Sequence, residues 1–396
     1  MSLGVNFTSG LRRVVLPLSL YIHFPWCVRK CPYCDFNSHT LQTILPEDEY
    51  IDSLVRDLEF ALPTIWGRPI RSIFMGGGTP SLFSYKAISR LLSEIRARVF
   101  LFPGIEITME ANPGVLLPDH LDGYRYAGVT RISLGVQSFS ESLLHAIGRI
   151  HSVHDIEKNL YALSDSSFTY NVDLMYGLPG QTVDEAMLDL KRALSFEPDH
   201  LSLYNLTLEP GTKFGIRPPI NIPSLDVCAV MQDNLCAILA DSGYDRYEIS
   251  AFSLPNLQCQ HNLNYWTYGD YIGIGAGAHS KLTCHQKVVR QARVNSPKRF
   301  MDGSGSERVL SYDAEVLFKD RPFEFFMNGL RLKDGITWSV YEERTGLSRM
   351  TVLSKVDELV NKGLLVRDVL GTRTTSLGWD FLNDILMAFM PMEKTG

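Results

Sequence analysis

The sequence predicts an α/β protein: a partial (β/α)6 barrel followed by a smaller C-terminal α/β domain of winged-helix type. Three observations lead there. Between Leu18 and Gly211, short apolar or alternating runs recur, each trailed by a stretch of helical periodicity, which is the pattern of repeated β/α units and a parallel sheet. Each run ends in polar or glycine-rich sequence, and in a β/α barrel those strand ends converge on one mouth where sites are built. From Ala314 onward the pattern changes to helices followed by short strand-like pieces.

Taken in order, the expected strands are 18–24, 71–75, 106–109, 131–134, 169–175 and 200–206, with helices at 47–62, 86–99, 141–147, 183–195 and 225–242. Six units instead of eight leave the barrel open on one side. Beyond Gly243 the chain turns glycine-rich and aromatic, and the polar stretch from Gln286 reads as weakly structured. The expected division is therefore a barrel with its extension at 1–285, a linker at 286–312 and a C-terminal domain at 313–396. In that last domain a helix at 348–362, strands at 364–369 and 373–376, and a helix at 379–389 suggest the winged-helix form.

Composition excludes several function classes. A net charge of -6 gives no bulk attraction for nucleic acid or anionic lipid. Residues 337–396 carry seven Lys/Arg against eight Asp/Glu, so the winged-helix module lacks the basic face of a DNA reader and is expected to act in packing. Apolar material at 11–15 and 16–22 is broken by Arg12, Arg13 and Pro17, too short for a signal or a membrane segment, and a cytoplasmic location is expected. Seven cysteines, three of them within eight positions, point to metal chemistry in a reducing compartment and not to disulfides.

The strongest motif is Cys27-Val28-Arg29-Lys30-Cys31-Pro32-Tyr33-Cys34 after the first strand. Thiolates at this CxxxCxxC spacing can ligate three irons of a 4Fe-4S cluster and leave the fourth open, where the amino and carboxylate groups of S-adenosylmethionine can bind. The competing reading is zinc, with His39 as the nearby fourth ligand. Gly76-Gly77-Gly78-Thr79-Pro80 after the second strand lets backbone approach the methionine end of such a cofactor, or is simply a turn. Glu110, Gln137 and Asp173 sit at later strand ends, where they can meet a ribose or amino group or cap the following helices. Arg149 can pair with a carboxylate or stand solvated on the surface. His261-Asn262-Leu263-Asn264-Tyr265-Trp266 offers an imidazole among aromatics, suited either to a haem iron or to an ordinary core position.

Together with Tyr21-Ile22-His23-Phe24-Pro25-Trp26, Glu110-Ala111-Asn112-Pro113-Gly114, Gly135-Val136-Gln137 and Val172-Asp173-Leu174-Met175-Tyr176-Gly177-Leu178-Pro179, these motifs resemble the oxygen-independent coproporphyrinogen III oxidase family of radical-SAM proteins across essentially the whole chain. The barrel is then a radical-SAM barrel. The dehydrogenase branch carries a further cysteine two residues after the motif, whereas this chain has Phe36. The HemW-type haem-chaperone branch is similar in having phenylalanine there and an HNxxYW motif, matched by His261, Asn262, Tyr265 and Trp266.

The resemblance implies haem binding and delivery to haem proteins such as respiratory enzymes, with the cluster and S-adenosylmethionine retained; coproporphyrinogen III dehydrogenase activity is the alternative and is not expected. It assigns cofactor contacts to Tyr21, Gly77, Gly78, Thr79, Glu110, Gln137, Arg149 and Asp173, flanks the cluster with Tyr33 and Phe36, and makes His261 the haem residue. A homodimer is a further expectation.

Overall fold

The computed structural model describes residues 16–65, 67–284 and 287–391. The six expected strands are Leu18–Phe24 (β1), Ile70–Gly77 (β2), Leu101–Ala111 (β3), Arg131–Gln137 (β4), Thr169–Tyr176 (β5) and His200–Asn205 (β6). They pair in parallel in chain order. The sheet then exceeds the expectation. A seventh parallel strand, Asp270–Ile274 (β7), pairs with the free side of β1. Antiparallel strands lengthen both ends, with His279–Cys284, Lys287–Arg293 and Leu310–Val316 beyond β7, and Ala251–Ser253 and Asp245–Arg246 beyond β6. The two ends of this twelve-stranded sheet do not meet, so the barrel is open.

Register decides what faces where. Outward positions such as Leu18, Leu20, Ile22, Ile73, Ile107, Ile132, Leu134, Val172 and Leu201 form one continuous core under the helices. Each such side chain stabilises the fold by roughly 1.5–3 kcal/mol when fully buried. Inward positions are mostly polar: Phe74 pairs across to Thr108, Thr108 to Arg131, Glu110 to Ser133, Ser133 to Asn171, Asn171 to His200 and Asp173 to Ser202. A one-residue slip of any strand would exchange core for lumen, and burial of one face therefore fixes the register.

The expected linker at 286–312 is corrected. Lys287–Arg293 and Leu310–Val316 are sheet strands, with the helix Pro297–Gly303 between them. Their polar sequence misleads because its charges are paired inside the protein: Arg293 with Asp57, Arg290 with Glu324. The expected boundary at 285–286 and the apolar segment at 11–15 lie outside the described residues.

The C-terminal region has its own core around Phe325, Phe326, Trp338, Tyr341, Val356, Leu359 and Ile385, to which Tyr268 and Val288 of the barrel region also belong. A three-stranded antiparallel sheet of Ile336–Thr337, Gly371–Thr374 and Leu365–Arg367 supplies the wing. The expected last helix is two short ones, Ser376–Asp380 and Leu382–Met387. Among the described residues no helix is long and apolar enough to cross a membrane.

Candidate functional site

The loop after β1 carries the three cysteines, and its ends are tied together. Trp26 and Cys27 pair in parallel with His39 and Thr40, and Leu41 N donates to Cys27 O at 2.9 Å. Behind the loop, Tyr21 Oη donates to His23 Nδ1 (3.1 Å) and His23 Nε2 donates to Asn37 O (2.8 Å). Burial lowers the His23 pKa to about 4, which keeps the ring in the neutral tautomer this chain requires. Asn37 Nδ2 in turn reaches Ala276 O and Asn295 O, both at 2.9 Å.

The glycine run has two distinct steric demands. A Cβ on Gly77, whose φ is +113°, would lie 2.5 Å from the His23 ring, and one on Gly78 would lie 2.4 Å from Trp26 O. Only glycine lets this segment lie against β1 and the cysteine loop, so the run is a close approach and not a free turn.

A cavity of about 370 Å³ opens at the strand ends. Of the residues the sequence singled out, Cys27, Cys31, Cys34, Tyr33, Phe36, Gly77, Gly78, Thr79, Glu110, Gln137, Arg149 and Asp173 all line it. Phe36 is 56% exposed at the rim. Arg149 is not a solvated surface residue: Nη2 donates to Gly135 O (2.6 Å), Nη1 to Cys31 Sγ (3.8 Å), and Nε is buried without a partner among the described residues.

Glu110 and Asp173 share this interior. Gly77 N donates to Glu110 Oε2 at 3.1 Å, while Asp173 receives Asn171 Nδ2 (2.8 Å) and Ser133 Oγ (3.1 Å). Burial, with Asp173 as a like-charged neighbour, pushes Glu110 up to about 8; burial also raises Asp173, against the pull of its hydrogen bonds. Two carboxyls resisting ionisation in one cleft mark a ligand site better than a pair of helix caps. Gln137 adds backbone strain, with φ at +73° at the end of β4.

Two expected site residues do not line the cavity. Tyr21 is hydrogen-bonded to His23, whose ring lies against Gly77. His261 is 7% exposed on the helix Gln260–Trp266, facing the barrel interior beside Tyr21 and Phe74, and its Nδ1 is hydrogen-bonded to Ser72 Oγ at 3.2 Å. Burial drives its pKa down to about 3, so the imidazole is neutral. The helix start is pinned by Glu106, which accepts from Gln260 N (3.0 Å) and His261 N (3.2 Å). From outside it is held by Arg331 over Trp266 and by Arg344 donating to Thr267 O.

The lining residues Thr108, Ser133, Asn171, His200, Ser202 and Tyr204 were missed as candidates. Their signal was present: each alternates with an apolar outward neighbour along its strand.

The donor set suits a cluster better than zinc. The three thiols are free and line one cavity. His39 already uses Nε2 on Asn37 Oδ1 and Asn295 O, and among the described residues no three His, Cys, Asp or Glu side chains are grouped to hold a single metal ion. The glycine cradle, the orphaned Arg149 Nε and the paired acids fit an amino-acid-bearing nucleoside such as S-adenosylmethionine.

Comparison with known proteins agrees with this geometry. Residues 21–193 match the radical SAM superfamily and residues 318–381 the HemN C-terminal domain. A protein of Escherichia coli K12 named heme chaperone HemW is 45% identical over 376 residues, covering 94% of this chain and 98% of its own length. The heme chaperone HemW of Lactococcus lactis is 34% identical over 381 residues, covering 94% and 97%. Mouse radical S-adenosyl methionine domain-containing protein 1, mitochondrial, is 33% identical, covering 94% and 87%. The solved structure of coproporphyrinogen III oxidase (HemN) from Escherichia coli superposes with a TM-score of 0.79 at 25% identity, covering 94% of this chain and 90% of that one.

Proposed function

The chain belongs to the HemW heme-chaperone family of radical SAM proteins, and from that premise we propose that it binds haem as cargo and passes it to haem proteins, respiratory enzymes among them. The supporting observation is the convergence of three thiols, the glycine cradle and the buried acids on one cavity, in a chain that aligns nearly end to end with heme chaperones. Cytoplasmic location and a homodimeric state complete the proposal.

When bound, a 4Fe-4S cluster supplies an open coordination position and a one-electron donor. The chain's own residues do the rest. Cys27, Cys31 and Cys34 hold three irons. Gly77, Gly78 and Thr79 present backbone to the methionine end of S-adenosylmethionine, and Glu110 and Asp173 accept from its amino and ribose groups. Gln137 and Arg149 close the same wall, with Tyr33 and Phe36 flanking the cluster.

His261 is the proposed haem residue, and its neutral ring is the form that ligates iron. Its burial has a consequence: haem reaches it only if the helix Gln260–Trp266 moves from its seat on Glu106 and Ser72, or through the barrel lumen. Haem binding is therefore expected to be slow and to raise hydrogen exchange in that helix.

Phe36 in place of a further cysteine weighs against the dehydrogenase reading. Anaerobic reconstitution with iron and sulfide, followed by parallel haem titration and coproporphyrinogen III conversion assays, tests the choice. Haem binding without conversion, weakened in His261→Ala, supports the chaperone; conversion without stable haem binding overturns it.

A further inference from the structure

Arg149 does more in this structure than face a cofactor. The short helix Glu141–Ala146 ends in a left-handed turn at Gly148 (φ +73°), and Arg149 N donates to Leu144 O at 2.9 Å, which fixes where the side chain starts. A Cβ on Gly148 would lie 2.7 Å from Pro32 Cδ, so the turn is packed directly on the cysteine loop. Phe214 N also donates to Pro32 O at 2.9 Å, and Phe214 shares an apolar cluster with Leu143 and Ile147. The Cys31–Pro32 segment is thus held by two separate contacts, and the guanidinium is anchored by Gly135 O with Nη1 aimed at Cys31 Sγ.

We infer that Arg149 is a positioning residue for the cluster, donating a charge-assisted N–H···S hydrogen bond to the Cys31 thiolate and raising the cluster's reduction potential. The physical reason is charge. Reduction adds one electron, and so one negative charge, to the cluster; a fixed cation beside a ligating sulfur stabilises that added charge, and hydrogen bonds to cluster sulfurs are a main determinant of potential. Arg29 also lines the cavity but is exposed, so solvent screens it, and Lys30 Nζ is committed to Phe36 O at 2.8 Å. Arg149 is half-buried, with Nε buried and its two other nitrogens committed to protein, so solvent screens it less.

The inference rests on the cluster reading above but not on haem. Its test is a dithionite titration of the reconstituted protein, without S-adenosylmethionine or haem, followed by electron paramagnetic resonance in wild type, Arg149→Lys, Arg149→Gln and Arg149→Met. The neutral variants are expected at more negative potentials than wild type, with the lysine variant between. Equal potentials in all four, at equal iron content, would overturn the role.

A measurement on the folded wild type guards against neutral variants that fail to assemble. With ¹⁵N-guanidino-labelled arginine, the reduced cluster is expected to show ¹⁵N hyperfine coupling that vanishes in Arg149→Lys. A wild-type cluster signal lacking that coupling contradicts the Arg149 contact, whereas no cluster signal at all in the wild type removes the cluster reading itself.

Discussion

The protein buries charged groups in two places and treats them oppositely. At the start of β7, Asp270 sits between Arg68 (2.7 Å) and Lys281 (3.0 Å) and also accepts from Thr283 N and Oγ1. Burial pushes Asp270 up, yet Lys281 and Arg68 outweigh it and hold the carboxyl below its ordinary range. At the barrel mouth Glu110 has one backbone N–H and a like-charged neighbour, and Gln137 adds strain. Asp270 is satisfied by its protein partners and serves the fold. At the mouth Glu110 is left without a countercharge, as expected of a surface completed by a ligand.

The largest effect should come from breaking the satisfied side. Asp270→Ala leaves Lys281 buried without its partner, and removing one member of a buried pair costs roughly 3–5 kcal/mol. A large drop in thermal midpoint is expected, with three cluster thiols still titratable in what folds. An unchanged midpoint would remove the contrast.

The unsatisfied side should respond the other way, through Glu110→Gln. The Glu110 pKa in the folded chain, about 8, lies above the ordinary 4.5 of a glutamate side chain. The stability held by its protonated form is complete below the unfolded value and drains as pH rises toward 8, by at most about 1.4 kcal/mol per pH unit. In the cofactor-free protein, Glu110→Gln should therefore gain stability over wild type as pH rises from 5 to 8.5 in urea melts, and should bind S-adenosylmethionine more weakly in calorimetry. A variant that follows the wild-type pH profile would show that Glu110 is already ionised at low pH.

A smaller effect sharpens the same contrast at Gln137. Replacing it with glycine relieves a left-handed φ and should raise stability by about 1 kcal/mol. Loss of the side chain should cost S-adenosylmethionine affinity. Stability that falls instead would make Gln137 a structural residue like Asp270.

How much of this was legible in the sequence follows the same division. The strand at Leu18–Phe24 and the other five were readable because their outward faces are apolar and end in glycine or proline. The CxxxCxxC spacing and its place after β1 marked the loop that lines the cavity. The antiparallel strands beyond β7 were not, because a strand such as Lys287–Arg293 carries Arg290 and Arg293, which look solvated until Glu324 and Asp57 arrive from distant parts of the chain. The strand Asp270–Ile274 was hidden in glycine-rich sequence for a similar reason, its partner β1 lying some 250 residues earlier. The helix Val153–Ser164 went unrecognised although its Ser152–Asp155 capping box was in view. His261 was identifiable as a residue but not as a buried one: its seat depends on Ser72, Tyr21 and Phe74, which only the folded sheet brings beneath it.

That burial makes haem transfer the most direct measurement of the account. Reconstituted protein loaded with haem is mixed with the haem-free form of a b-type haem protein, and the acceptor's absorbance is followed for wild type and His261→Ala. Transfer is expected from wild type, with loading and transfer both diminished in the variant. Haem that binds and transfers equally well without His261 would contradict it.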